Sequence, residues 1–210
     1  MSPPLGARAI LATMPLAHAS VATSPLRSYI APIKDNIYGC DPERVHTLPL
    51  FTGSAKGMVA NMARAPKGGD TDQIKGVASG ECDVALTNSY YLARLIRSDK
   101  PADQQVVSKI GLIWPNQAST GAHMNVAGGA VAKNAPNKAA AIKFLEYLAS
   151  DSAQQYFADG NNEWPAVKSV KTNNPALNKW GSFKEENISI AAIGKNQIYA
   201  QKILDRVSYK

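Results

Sequence analysis

The sequence predicts an α/β fold, and three observations carry that expectation. From Lys56 onward, stretches with apolar residues at helical spacing alternate with short β-rich runs. The strongest of those runs, "ECDVALT", passes directly into a helix start. The 210 residues, 45% hydrophobic and 19% charged, match a soluble globular chain long enough for one domain or two small lobes. Residues 1–55 have another texture. They hold much of the proline, show no sustained periodicity, and are expected to form an irregular N-terminal segment.

Taken in order, "SAKGMVANMAR" reads as a helix broken by "APKGGD". Asp70 has the character of an N-cap with Gln73 three places on, a capping-box spacing. Ile74, Val77 and Ala78 give the helix that follows an apolar side, and Gly80 ends it. "ECDVALT" is the first strong strand, with Asn88 placed to cap the next helix. "KIGLIWP" is a second strand, stopped by Pro115. "GAHMNVAGGAVAK" is expected to be one or two extended pieces. "PNKAAAIKFLEYLAS" opens with Pro136 and repeats Ile142, Leu145 and Leu148 at helical spacing. "DSAQQYFADG" predicts a short helix capped by Asp151 or Ser152 and closed by Gly160. From Ile190 to Val207, one face collects Ile193, Ala200, Ile203, Leu204 and Val207.

Several classes of function lose support at once. The net charge of +7 would suit an anionic partner, but the Lys and Arg residues are scattered with no run of five, so nucleic-acid binding is not expected. No apolar stretch is long enough to span a bilayer. The start has parts of a secretory signal: one Arg, an apolar stretch from Ala9 to Ala17 interrupted by Pro15, and a small-x-small site at Ala17-His18-Ala19. Cys40 and Cys82 have no metal-ligand spacing, and Cys82 is expected to be a buried small hydrophobe. His18, His46 and His123 are far apart and fit no nucleophile or zinc pattern. His123 is expected to be a hydrogen-bonded structural residue. The "PKGGD" loop lacks phosphate-loop spacing, and an enzyme is not expected.

The feature that points to chemistry is Tyr90-Tyr91 in "DVALTNSYYLARL". Successive helical residues point about 100° apart, so adjacent aromatics fit an amphipathic helix badly. Here they fall in a first turn just beyond a strand's C-terminal end, the edge where open α/β sheets bind ligands. Phenols ionise near pH 10 unless a positive field stands beside them, and a helix N-terminus supplies one. Phenolate oxygen is a hard donor, ferric iron a hard acceptor, and Tyr serves as an iron ligand for that reason. On spacing alone, the alternative is that one ring packs inward while the other covers the surface.

The flanks extend the reading. "ANMARAPKGGDTDQIKGVASGECDVALTNSYYLARL" closely resembles the ferric-iron-binding periplasmic proteins, the solute receptors of bacterial ABC iron importers. "WPNQASTGAHMNVAGGAVAKNAPNKAAAIKFLEYLASDSAQQYFADGNNEWP" is similar to later segments of the same family, in order. The resemblance covers about residues 56–210 and implies a periplasmic-binding-protein type II fold, incomplete and mainly the C-terminal lobe. It implies that Tyr90 and Tyr91 ligate Fe(III) and that Asn88 helps to hold a companion anion such as carbonate or phosphate. "RSYIAPIKDNIYG" faintly echoes a stretch carrying a third ligand tyrosine, making Tyr38 a candidate, although its spacing and following residues differ.

By the family pattern, residues 56–120 and 172–210 would form the second lobe and 121–171 would belong with the first, with a hinge near Ser119–Gly121. By the resemblance, family members are longer, and an equivalent of their first-lobe portion is expected to be missing from these 210 residues. Residues 121–171 would then expose apolar helix faces and favour self-association. The implied function is ferric-iron binding as the periplasmic receptor of an ABC iron importer, with a membrane permease as partner. Two alternatives stay open: a receptor of the same fold for an anion or organic solute, and a truncated fragment with no ligand-binding function.

Overall fold

A computed structural model of the chain describes residues 8–12, 55–65, 67–125 and 127–209. Its elements are β1 (Arg8–Ala12), α1 (55–60), α2 (Asp70–Ser79), β2 (Val84–Thr87), α3 (Ser89–Ile96), α4 (Pro101–Val107), β3 (Ile110–Ile113), α5 (Lys138–Leu148), α6 (Asp151–Tyr156), α7 (Pro175–Trp180) and α8 (Ile190–Arg206). The backbone contacts divide these into two units. The first holds β1, residues 55–87, 110–124 and 183–209; the second holds Asn88–Lys109 and Asn125–Ser182.

In the first unit the three strands form a parallel sheet in the order β2-β1-β3. β1 is central, with Ile10 opposite Ala85 on one side and Leu112 on the other. Arg8–Ala12 is thus a strand rather than part of an irregular 1–55 segment, and it takes in the start of the apolar run from Ala9 that resembles a signal. Its five residues are too short, and too closely followed by Pro15, to reveal themselves by alternation. Helix α2 lies against β2 and β1 and seats Ile74 and Val77 in the core, both fully buried.

The ends of α2 show how local chemistry sets the boundaries. Its N-cap is Gly69, one residue earlier than expected, and the Asp72 carboxylate accepts from the Gly69 N–H at 2.8 Å. Gln73 is therefore no capping-box partner of Asp70; its amide donates to the Lys67 carbonyl at 2.8 Å. Gly80 closes the helix at φ 93°, the left-handed conformation glycine adopts without cost. Cys82 is half-buried ahead of β2 instead of deep in the core.

The segment expected to be extended, 121–133, forms no strand; its one bridge among the described residues joins Ala122 to Glu185 in parallel. The Ala122 N–H donates to the Lys184 carbonyl and the Glu186 N–H to the Ala122 carbonyl, both at 2.8 Å. Gly121, at φ 97°, leaves no room for a Cβ, which would stand 2.6 Å from the Glu185 carbonyl. Gly121 lies within the stretch Ser119–Gly121 expected to hold a hinge. Trp114 stacks on Phe183, ring centroids 4.0 Å apart. Helix α8 follows its expected span, with Val207 as its buried C-cap.

The second unit is helical. α5 begins after Asn137, so Pro136 precedes the helix, and none of its residues is buried. α6 is capped by Ser150, whose hydroxyl accepts from the Ala153 N–H at 3.4 Å, rather than by Asp151 or Ser152. It continues past Gly160 as a π-helical turn, Phe157–Asn161, and ends at left-handed Asn162. α7 packs on α3 around Ala93, Ala176 and Leu177, with Ile96, Trp164 and Trp180 against them.

Candidate functional site

β2 ends at buried Thr87, and the next residue, Asn88, is the N-cap of α3 with extended backbone at φ −69° and ψ 137°. The position matches the sequence expectation, but the capping mechanism does not. The Asn88 side chain, 9% exposed, makes no capping hydrogen bond to the first turn. The helix start is made by backbone geometry, with the Tyr91 N–H donating to the Asn88 carbonyl at 3.3 Å.

Tyr90 and Tyr91 follow in that first turn, both half-buried. Their rings lie together, centroids 4.4 Å apart and planes tilted by 35°. Helical side chains lean toward the N-terminus, and in a first turn there is no earlier turn to cover them. Two adjacent phenols can therefore share one side of the helix start, which mid-helix neighbours could not. The N-terminal end of a helix also favours negative charge.

Arg94, which the sequence reading passed over, stands beside the pair. Its guanidinium carbon lies 5.3 Å from the Tyr91 ring centroid, a cation–π distance. The signal was present, since residues three apart on a helix are neighbours and Arg94 follows Tyr91 at that spacing.

The rest of α3 is anchored. Leu92, Ala93 and Leu95 are buried. The Gln104 amide donates to the carbonyls of Leu95 and Ile96 at 3.2 Å and of Ser98 at 2.6 Å, partnering helix-end groups that the helix cannot. Arg97 donates to the Asp159 carbonyl at 2.6 Å and to Asn162 Oδ1 at 2.7 Å. Asn174, 1% exposed, donates to the Ala158 carbonyl at 2.9 Å and to Asn162 Oδ1 at 2.8 Å, while its own Oδ1 caps α7 through the Ala176 N–H at 3.0 Å. A hydrogen bond from Gln155 holds the Asp159 carboxyl below its usual range, against the opposing effect of burial and with further help from Thr172, the Asn173 N–H and the Arg97 charge. With its C-terminal half fixed by this network, α3 presents its first turn on a rigid base.

Other expected site residues fall elsewhere. Tyr38 lies outside the described residues, as do His18, His46 and Cys40. His123 Nδ1 and Glu186 Oε2 are 3.0 Å apart, in the hydrogen-bonded structural role expected of that histidine. Among the described residues, no group of three or more His, Cys, Asp or Glu is placed to hold a metal ion. No described helix is long and apolar enough to cross a membrane.

Comparison with known proteins places this geometry in context. Residues 12–185 match the family described as bacterial extracellular solute-binding protein, so the match starts well before residue 56 and takes in most of the segment expected to be unmatched. Iron uptake protein A2 of Synechocystis sp. (strain ATCC 27184 / PCC 6803 / Kazusa) is 45% identical over 168 residues, 79% of this chain and 48% of that protein. Iron uptake protein A1 of the same organism is 41% identical over 156 residues, 74% of this chain and 43% of that protein. Among solved structures, the Trichodesmium protein IdiA (FutA) in complex with iron and citrate superposes with a TM-score of 0.73 at 42% identity, covering 99% of this chain and 61% of that one. The ferric binding protein from Campylobacter jejuni gives a TM-score of 0.72 at 30% identity with the same coverage. The chain spans about half the length of the uptake proteins it matches. The type II periplasmic-binding-protein fold expected from the resemblance is present in part.

Proposed function

The chain belongs to the bacterial extracellular solute-binding protein family, and from that premise we propose that it binds ferric iron through the phenolates of Tyr90 and Tyr91 as part of the periplasmic receptor of an ABC-type iron importer. The observation that carries this reading is the pair itself: two half-buried phenols with rings 4.4 Å apart in the first turn of a firmly anchored helix. Two phenolates offset most of the charge on Fe(III), and the helix start favours an anion that completes the shell. Carbonate, phosphate or a carboxylate fits that place, with Asn88 beside it, and the Trichodesmium relative is described with iron and citrate together. Tyr38 is the remaining ligand candidate on this chain. The reading makes the chain a receptor rather than an enzyme, with the importer's permease as its membrane partner.

Residues 121–171 carry the part expected to pair with a first lobe. The exposure of Ile142 (40%), Phe144 (59%) and Tyr147 (56%) on α5 supports the expected self-association. Equilibrium dialysis of the purified chain against a ferric chelate, with the metal measured, tests the binding claim. Iron retained by the native chain and lost from Tyr90→Phe/Tyr91→Phe supports it, whereas equal retention by both refutes it.

A further inference from the structure

Helix α8 has two unlike faces. On one, Ile193, Ala200, Ile203 and Leu204 are partly buried and Val207 is buried. On the other, Lys195, Lys202 and Arg206 are exposed, with Ile198 and Tyr199 beside them at 67% and 50% exposure. No ion pair joins these three cations to a carboxylate among the described residues. The helix's one acidic residue, Asp205, accepts from Gln201 at 2.9 Å. Asp205, exposed three residues after Lys202, is the one opposite charge near this face, so three cations against one carboxylate leave it net positive, with two large apolar side chains exposed among the cations.

The cations run along about 16 Å of a single helix, so all three can meet a plane together. Their ammonium and guanidinium groups suit phosphate diesters, and a Tyr ring and an Ile side chain suit the headgroup layer. The net charge of +7 adds longer-range attraction to such a surface. Too few apolar groups face outward for insertion, which leaves docking at the surface. An acidic protein partner is less well served, because the convex side of one helix offers no pocket for the packed core of such an interface.

We propose that the outer face of α8 docks this chain on an anionic phospholipid surface, with Lys195, Lys202 and Arg206 on headgroup phosphates and Ile198 and Tyr199 in the headgroup layer. The proposal stands apart from iron binding, and its test contains no iron. The full chain is sedimented with vesicles of phosphatidylglycerol and phosphatidylcholine, and separately with pure phosphatidylcholine vesicles, at low salt and at roughly 0.5 M salt, where the Debye length is well below 10 Å. Binding to the anionic vesicles alone, released by salt, is the expected result. Lys195→Glu/Lys202→Glu/Arg206→Glu should weaken it about a hundredfold. Lys138→Glu/Lys143→Glu/Lys168→Glu, which gives the same net charge but leaves α8 intact, should retain far more of it. Ile198→Ser/Tyr199→Ser should weaken binding while keeping its salt dependence. Absence of native binding, equal binding to neutral vesicles, or equal losses in the two triple variants would overturn the proposal. If a triple variant folds poorly, native binding that is absent or insensitive to salt still overturns the proposal, and Ile198→Ser/Tyr199→Ser still tests the α8 face.

Discussion

Asn174 shows how much one buried polar side chain carries. Its amide joins the π-helical turn to Asn162 while its carbonyl oxygen caps α7. Asn174→Ala removes a cap and leaves the Ala158 carbonyl without that donor, so a loss of roughly 2–4 kcal/mol is expected in urea unfolding. A loss below about 0.5 kcal/mol would show that the network is incidental. Asp159 gives the same region a pH dependence. Its folded pKa is depressed, first by the Gln155 hydrogen bond and then by Thr172, Asn173 and Arg97. The stabilisation is therefore present above the unfolded value of about 4 and is lost as pH falls through the lower folded value. Asp159→Asn should flatten melting temperature against pH on the acid side; an unchanged acid limb would remove Asp159 from the account. At Asn88, the structure replaces a side-chain cap with a backbone one, so capping is not what Asn88→Ala would take away.

At the scale of elements, what was legible followed from local chemistry. α2, β2, α3, β3 and α8 were readable because periodicity, Gly80 and Pro115 act within a few residues. What escaped depended on distant partners. β1 is a strand by virtue of β2 and β3 on either side. The π-helical continuation of α6 is held by Arg97, 62 residues away along the chain, and by Asn174 from the loop before α7. The 121–133 run has strand-like residues but gains only one bridge, at Ala122. That bridge makes a prediction. Gly121→Ala forces a side chain into φ 97° and against the Glu185 carbonyl. It should cost at least about 1–3 kcal/mol by strain alone and lower the melting temperature. An unaffected melt would mean that the 121–124 and 183–186 segments are not firmly joined.

At the scale of the whole molecule, the chain corresponds to about half of each uptake protein and about three fifths of each solved relative cited above. Helix α5 buries none of its residues, and Phe144 and Tyr147 stand in water three positions apart. Sedimentation should show concentration-dependent association that Phe144→Ser/Tyr147→Ser reduces; a native chain monomeric at all concentrations would contradict this. The tyrosine pair stood out locally, as two adjacent phenols at a helix start, but its reading as a ligand pair came from the resemblance of the flanking residues. Arg94 was legible in principle through its helical spacing. The anchoring network was not, since its partners meet only after folding.

Ferric titration of the purified chain, followed by visible absorbance, tests the central claim most directly. Phenolate-to-iron charge transfer gives colour only when a tyrosine ligates the metal. The account predicts a visible band that saturates with bound iron, is shifted or weakened by Tyr90→Phe and by Tyr91→Phe, and is abolished in the double variant. It also predicts that iron raises the melting temperature only in proteins that keep the pair. A double variant that takes up ferric iron with the same colour and affinity as the native chain would contradict the assignment of Tyr90 and Tyr91.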